Sequence, residues 1–514
     1  MDLPWQLYVF AFLVSTQLFK LRRQYERRKA LSEIPAVGPS GVLRSYKTVW
    51  RYIRDARSVL QEGYQKSNGG LFRVPQISGW FVITAGRHLE DLRTAPDSQL
   101  SLDAAGAELL QSDYTMGKDI RLDTYHLGVL RNVMTKKLPT MLLDMADEIR
   151  FSFNDLIDRK FTDSPNEWAH IRASEVFTIF VARITNRSFV GLPLCRNDDY
   201  CNINIYFAHH VMFGSAVINC FPNFLKPLVG AVYNKISGLR TRIVVHLRPL
   251  IEQRQREKAA GEQRSDDMLT WLMDAAPPGH QSVEAISERL LNVNFMALHT
   301  TAMTFTHALF HLAARPEYIG WLRDEIKENL GTEWIDSPNV LDKEKIEKCW
   351  KLDSFLKECG RLNGLGAFSL PRKSLVPFRF SDGSIIPAGT IVAAAPTATH
   401  LDNTLFENAA EFDGFRFYKQ RREAEARYGA ASAEEVKCRL TSPSAGYLAF
   451  GGGRHTCPGR FLASLEIKLM LAYLILQYDV RTEEEGVRPP DFWFGPVCTP
   501  SQSAAVLFRR RAKL

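Results

Sequence analysis

The sequence predicts a mainly α-helical protein with small β-sheets, organised as one large domain and preceded by a single transmembrane helix. Three observations carry this prediction. An uncharged apolar run opens the chain, helical periodicity dominates the rest, and a few short β-rich segments are bounded by turn residues. The 514 residues are 45% hydrophobic and 24% charged, the balance of a globular chain whose core can enclose a ligand. Disordered, collagenous and disulfide-stapled classes are excluded on composition.

The elements follow in chain order. Residues 3–19 are expected to form the anchor, because positions 4–19 (PWQLYVFAFLVSTQLF) carry no charge. A span needs about 20 residues, and Lys20 can extend this one by snorkelling. The basic residues of KLRRQYERRK at 20–29 follow the apolar run rather than precede it. That order disfavours a cleaved signal peptide and puts the basic side in the cytosol. Residues 20–45 end in a hinge, IPAVGPSG at 34–41, whose prolines and glycines stop a helix. Residues 46–514 form the body. Helices are expected over 46–65, 125–153, 240–260 and 284–315, and strands over 71–74, 80–84, 378–386 and 390–394. The polar stretch 420–445 reads as a surface insertion.

The net charge of +8 is local. It sits in the 20–29 stretch and in the RRRAKL tail at 509–514, leaving a near-neutral body. A membrane surface fits that distribution, and a nucleic-acid groove does not. The eight cysteines form no CxxC pair and match no zinc spacing. Seven read as buried thiols.

The eighth, Cys457, lies in FGGGRHTCPGR at 450–460, just before an amphipathic helix. A helix N-terminus stabilises an anion, and Arg454, His455 and Arg460 add positive charge. Each factor lowers a thiol pKa, so Cys457 is expected to be a thiolate. Three glycines allow close approach of a flat ligand. A nucleophile or a metal ligand could use such a cradle, and a haem-iron ligand accounts for more of its residues.

These residues resemble the haem-binding signature of the cytochrome P-450 family, F-x-x-G-x-R/H-x-C-x-G. Phe450, Gly453, His455, Cys457 and Gly459 match it. Glu358 and Arg361 match the family's E-x-x-R helix, in which the two side chains share a face. FDGFRF at 412–417 resembles F-x-P-x-R-F, which adds Arg416 to the cluster. Gly414 replaces the usual proline there and is expected to loosen the loop. FMALHTTAMTF at 295–305 resembles the oxygen-binding helix, with Thr300 and Thr301 as its threonine pair. His299 stands where the family has an acid, leaving an imidazole to relay protons. The early W-x-x-x-R helix is weakly matched by YHLGVLR at 125–131, where His126 and Arg131 are candidate donors to a haem propionate. Arg372 is a third.

The resemblance spans the chain and implies a single large P-450-type domain around a buried haem b, with Cys457 as axial ligand. It implies a monooxygenase in which Thr300, Thr301 and His299 manage dioxygen and protons. Electrons would come from NADPH through cytochrome P-450 reductase, with cytochrome b5 as a further donor. Arg454 and Arg460 would meet an acidic electron donor. The sequence has no dinucleotide-binding motif of its own. Location at the endoplasmic reticulum follows, single-pass, with a cytosolic catalytic domain. The pattern is similar to fungal membrane-bound members that oxidise ent-kaurene and related terpenoids. Apolar segments at 296–300, 366–369 and 496–499, with a lid at 205–228, point to a lipophilic polycyclic substrate. A steroid or fatty-acid hydroxylase, a haem-dependent isomerase or dehydratase, and a haem or lipid binder remain open alternatives.

Overall fold

One helix, Val283–Ala313, runs 31 residues without a proline or glycine, and the rest of the fold is arranged around it. Ser282 caps its start by accepting the Ala285 N–H at 3.1 Å. It packs on the Ala173–Phe189, Asp198–Asn219, Leu239–Ala260 and Arg460–Gln477 helices. With neighbours on most sides, it buries polar residues such as Arg289, Asn292 and His307 along with its apolar ones. The computed structural model describes residues 29–511 except 40, 42–43, 77–78 and 162–166, together with residues 22 and 26. The expected anchor at 3–19 lies outside the described residues. Among the described residues no helix is long and apolar enough to cross a membrane.

Aromatic rings fill the main core. Phe153 lies 4.6 Å from both Phe180 and Tyr473, and Phe177 lies 4.6 Å from Phe305 on the long helix. The largest sheet has the order Phe72–Gln76, Gly79–Thr84, Ile391–Ala394, Ser369–Ser374, Leu100–Ser101. Only its Gly79–Thr84 and Ile391–Ala394 strands are parallel. A second sheet places Ala505–Arg510 between Ala169–Arg172 and Tyr478–Thr482. The segment 378–386, expected as strand, folds into a hairpin of Phe378–Arg379 and Ile385–Ile386.

Three expectations are corrected. The helix expected over 46–65 is two, Ser45–Arg54 and Ala56–Lys66, broken where Asp55 turns to φ −154° and accepts the Ser58 N–H. The helix expected over 125–153 extends to Leu156 and contains a π-helical stretch, Val129–Met134. The 420–445 segment is more than a surface insertion. Its Arg416–Tyr428 and Ala433–Lys437 helices are joined by an Arg421–Glu435 pair at 2.5 Å, with both side chains buried. All eight cysteines are free, and of the seven besides Cys457 only Cys220 is exposed.

Candidate active site

The cysteine loop closes on itself, because the Cys457 N–H donates to the Phe450 carbonyl at 3.0 Å. Between those residues Gly453–His455 forms one tight turn. Gly451 and Gly453 take φ of +72° and +67°, where a side chain is strained. A Cβ on Gly453 would also lie 2.4 Å from the Arg93 carbonyl oxygen. The N–H groups of Gly459 and Arg460, at the start of the next helix, donate to the Cys457 sulfur. Burial nevertheless has the larger effect and pushes the thiol above its ordinary value, while those N–H groups and the Arg460 charge pull it down by less. The expectation of a thiolate from the cradle alone is therefore corrected. A buried sulfur needs a cation, such as a metal, to hold its negative charge.

The loop rests on the strand Ser369–Ser374, where Leu370 would touch a Cβ on Gly451 at 3.4 Å. Arg372 lies on the same buried face of that strand. It is 2% exposed, and its guanidinium donates only to the Pro371 carbonyl among the described residues. Burial lowers its pKa to about 10. Arg131, in the π-helical stretch, is exposed and forms no ion pair among the described residues. His455 is taken by Asp97 at 2.6 Å, and Arg454 donates to the Thr94 carbonyl at 3.0 Å. His126 lies in the Tyr125–Gly128 turn that leads into Arg131's stretch. It is buried against Arg289, whose guanidinium lies 2.9 Å from its Nδ1, and burial lowers its pKa to about 4. Arg289 can only donate, so Nδ1 accepts from it and the Nε2–H is the donor His126 has to offer.

On the long helix, Met296 and Thr300 are exposed on one face. The Thr300 hydroxyl is shared between the Met296 and Ala297 carbonyls at 3.2 and 3.4 Å. Thr301 is buried and donates to Ala297 at 2.8 Å, so its hydroxyl is spent on the helix. His299 is turned away to the Asp198–Asn219 helix, where its Nε2 lies 2.9 Å from the Ile205 carbonyl. The relay expected of this imidazole therefore has one nitrogen already engaged. Elsewhere, two of the expected apolar segments are stitched together. Ala367 donates to Pro496 at 2.7 Å and Cys498 to Leu365 at 3.1 Å. In the lid region, Tyr206, Met212 and Phe213 are exposed.

Glu358, Arg361 and Arg416 meet in the core. Arg361 binds Glu358 through two bonds of 2.7 Å, with both side chains fully buried. Arg416 donates to the same carboxylate at 3.2 Å. Backbone carbonyls of His400, Ala409 and Glu411 take the remaining Arg361 protons. Gly414 does not loosen the adjoining loop. A Cβ there would meet Tyr318 at 2.7 Å and Phe355 at 2.8 Å, and Ser354 bonds the Gly414 carbonyl at 2.9 Å.

Sequence reasoning missed Arg289 and Tyr318, and no local signal marks either. It also missed that His307, Asp491 and Cys498 bring ligand atoms within 4.8 Å of one another. A guanidinium already fills the cation's place, for Arg488 lies 2.7 Å from Asp491 and 2.9 Å from His307.

The cytochrome P-450 family model matches residues 114–508. The chain is similar to cytochrome P-450 monooxygenase 151 of Postia placenta, at 38% identity over 99% of both chains. It is 31% identical to cytochrome P-450 monooxygenase CYP512U6 of Ganoderma lucidum, over 94% of this chain and 92% of that one. It is also 31% identical to cytochrome P-450 monooxygenase paxQ of Penicillium paxilli, over 98% of this chain and 96% of the relative.

Proposed function

This chain belongs to the cytochrome P-450 family of oxidoreductases, and on that premise we propose that it inserts one oxygen atom of dioxygen into a C–H bond of a lipophilic polycyclic substrate, a terpenoid of secondary metabolism. The residues present fit the haem that this family binds through a cysteine thiolate. Cys457 is the one cysteine in a glycine cradle with N–H groups of a helix start on its sulfur. Arg372 offers a buried guanidinium that no carboxylate of this chain neutralises within ion-pair distance among the described residues. Bound there, haem supplies the oxygen activation, and thiolate donation favours O–O cleavage.

The chain's own residues then have separate tasks. Cys457 would hold the iron, and Gly451 and Gly453 let its loop pack closely on Leu370 and Arg93. Arg372 and Arg131 neutralise the propionates. Thr300 presents a hydroxyl whose bonds to two carbonyls are long, so its Oγ1 can take and pass a proton beside the reacting centre. Thr301 supports the helix instead. The exposed apolar side chains Met296, Tyr206, Met212 and Phe213 bind the substrate by excluding water. Arg454 and Arg460 face an acidic electron donor, NADPH–cytochrome P-450 reductase, with cytochrome b5 as a second. The 3–19 run anchors the enzyme in the endoplasmic reticulum membrane, and residues 46–514 form the cytosolic catalytic domain.

The observation that carries this reading is the closed glycine loop that sets Cys457 at a helix start. Its test is the reduced carbon-monoxide spectrum of the purified enzyme. A thiolate ligand moves the Soret band to the red of a histidine-ligated haem, and Cys457→Ser should abolish that shift together with activity. A shift retained in Cys457→Ser would transfer the role to another sulfur. Feeding terpenoids to a host that supplies reductase, with mass spectrometry of the products, tests the substrate class.

A further inference from the structure

His299 departs from the family pattern, and the structure shows what the departure makes possible. An ionised carboxylate at this position could only accept hydrogen bonds. The imidazole instead meets a backbone carbonyl, that of Ile205, at 2.9 Å. A carbonyl is an acceptor only, so the Nε2 must carry the proton and donate it. The Ile205 oxygen has a second lone pair for its own helical bond, so the contact costs the Asp198–Asn219 helix nothing.

Among the described residues this is the one hydrogen bond joining that helix to the long helix. Buried apolar side chains and two ring contacts make up the rest of the interface. Phe207 meets Phe295 edge-on at 6.1 Å, and His209 meets His299 at 5.6 Å with planes 82° apart. The bond sits next to Thr300 in sequence and one helical turn from Met296. The Asp198–Asn219 helix carries the exposed Tyr206, Met212 and Phe213 and is tied outward to the Lys226–Ser237 helix. His210 lies 2.9 Å from Asn234, and the Tyr233 hydroxyl donates to the His210 carbonyl at 3.0 Å. The two helices are thus tied to each other, and His299 ties the pair to the long helix midway along, while Asp199 and Tyr200 fix the far end to the Leu239–Ala260 and Ala173–Phe189 helices.

We propose that His299 is a positioning residue whose Nε2–H latches the lid helix to the long helix and so sets how readily the cavity beside Thr300 opens. The proposal rests on the reading of that face as the reaction cavity.

The test compares the full-length, haem-loaded enzyme with His299→Phe, which keeps the ring volume but cannot donate, and His299→Gln, whose amide N–H reaches a similar point. Backbone hydrogen exchange over residues 198–219 reads the latch directly. The rates at which 4-phenylimidazole binds and leaves, followed by the Soret band, read cavity opening. Losing one hydrogen bond should speed lid exchange and both azole rates about three- to tenfold in His299→Phe, while His299→Gln stays near wild type. Unchanged exchange in His299→Phe overturns the latch. So does a His299→Gln variant as fast as His299→Phe. Peroxide release that rises in His299→Phe without any change in lid exchange makes the residue a proton relay instead. An azole that leaves the wild-type spectrum unchanged counts against the cavity reading, and the exchange measurement still decides the latch.

Discussion

Gly414 donates its backbone N–H to the Tyr318 hydroxyl at 3.1 Å, a bond that proline could not make. Tyr318 and Phe355 fill the space where a proline ring would lie. The family's usual residue is therefore the wrong one for this chain. Gly414→Pro should lose about 1 kcal/mol with the hydrogen bond and a further ~1–3 kcal/mol by overpacking. Tyr318→Phe should lose only the first amount. Thermal unfolding of the two variants checks this, and a Gly414→Pro protein as stable as wild type contradicts it.

The same region holds the costliest ion pairs to break. Glu358→Ala would leave Arg361 and Arg416 buried without their shared carboxylate, at about 3–5 kcal/mol. The neighbouring Lys419–Asp413 pair is exposed, and Lys419→Ala should cost no more than about 1 kcal/mol. We expect Glu358→Ala to yield little soluble, haem-loaded protein and Lys419→Ala to yield normal amounts. Equal yields and equal denaturant midpoints would refute a structural role for the cluster.

What the sequence reveals and what it hides divide along contact distance. Cys457, its glycines and the following helix lie within a dozen residues, so turn chemistry and helix periodicity expose them. Glu358 and Arg361 are readable because three residues bring side chains onto one helix face. The partners of His299, His126 and Gly414 lie 94, 163 and 96 residues away, and no local rule reaches them. Asp55 breaks the first expected helix because its side chain competes for a backbone N–H, which apolar spacing does not register. The C-terminal strands Phe492–Phe494 and Val497–Thr499 are three residues each, too short for alternation to show.

Arg372 should separate folding from haem retention. Among the described residues its buried charge has no carboxylate of the chain within ion-pair distance, and burial lowers its pKa to about 10. Arg372→Met removes a desolvated cation, so the apoprotein should unfold at an unchanged or higher denaturant concentration. The loaded enzyme should instead release haem faster, by about tenfold or more, because a charge-assisted bond to a propionate is worth ~1.5–3 kcal/mol. Transfer of haem to apomyoglobin measures that rate. A slower or unchanged rate would remove Arg372 from the haem site.

Glu466 sets a pH dependence with a definite sign. It lies in the Arg460–Gln477 helix, is 1% exposed, and has the Thr185 hydroxyl at 2.9 Å as its partner. Burial raises its pKa from 4.5 to about 8. Between those values the folded state holds a proton that the unfolded state has released. Stability is therefore lost as pH rises through this window and levels off above about 8. Glu466→Gln keeps the shape without the titration. Near pH 5 the variant and the wild type should have similar urea midpoints. At pH 8 the variant should be more stable by a few kcal/mol, since holding one proton costs about 1.4 kcal/mol for every pH unit crossed in the window. Parallel stability curves from pH 5 to 8 would mean that Glu466 stays ionised in the fold, its charge held by a cation or water.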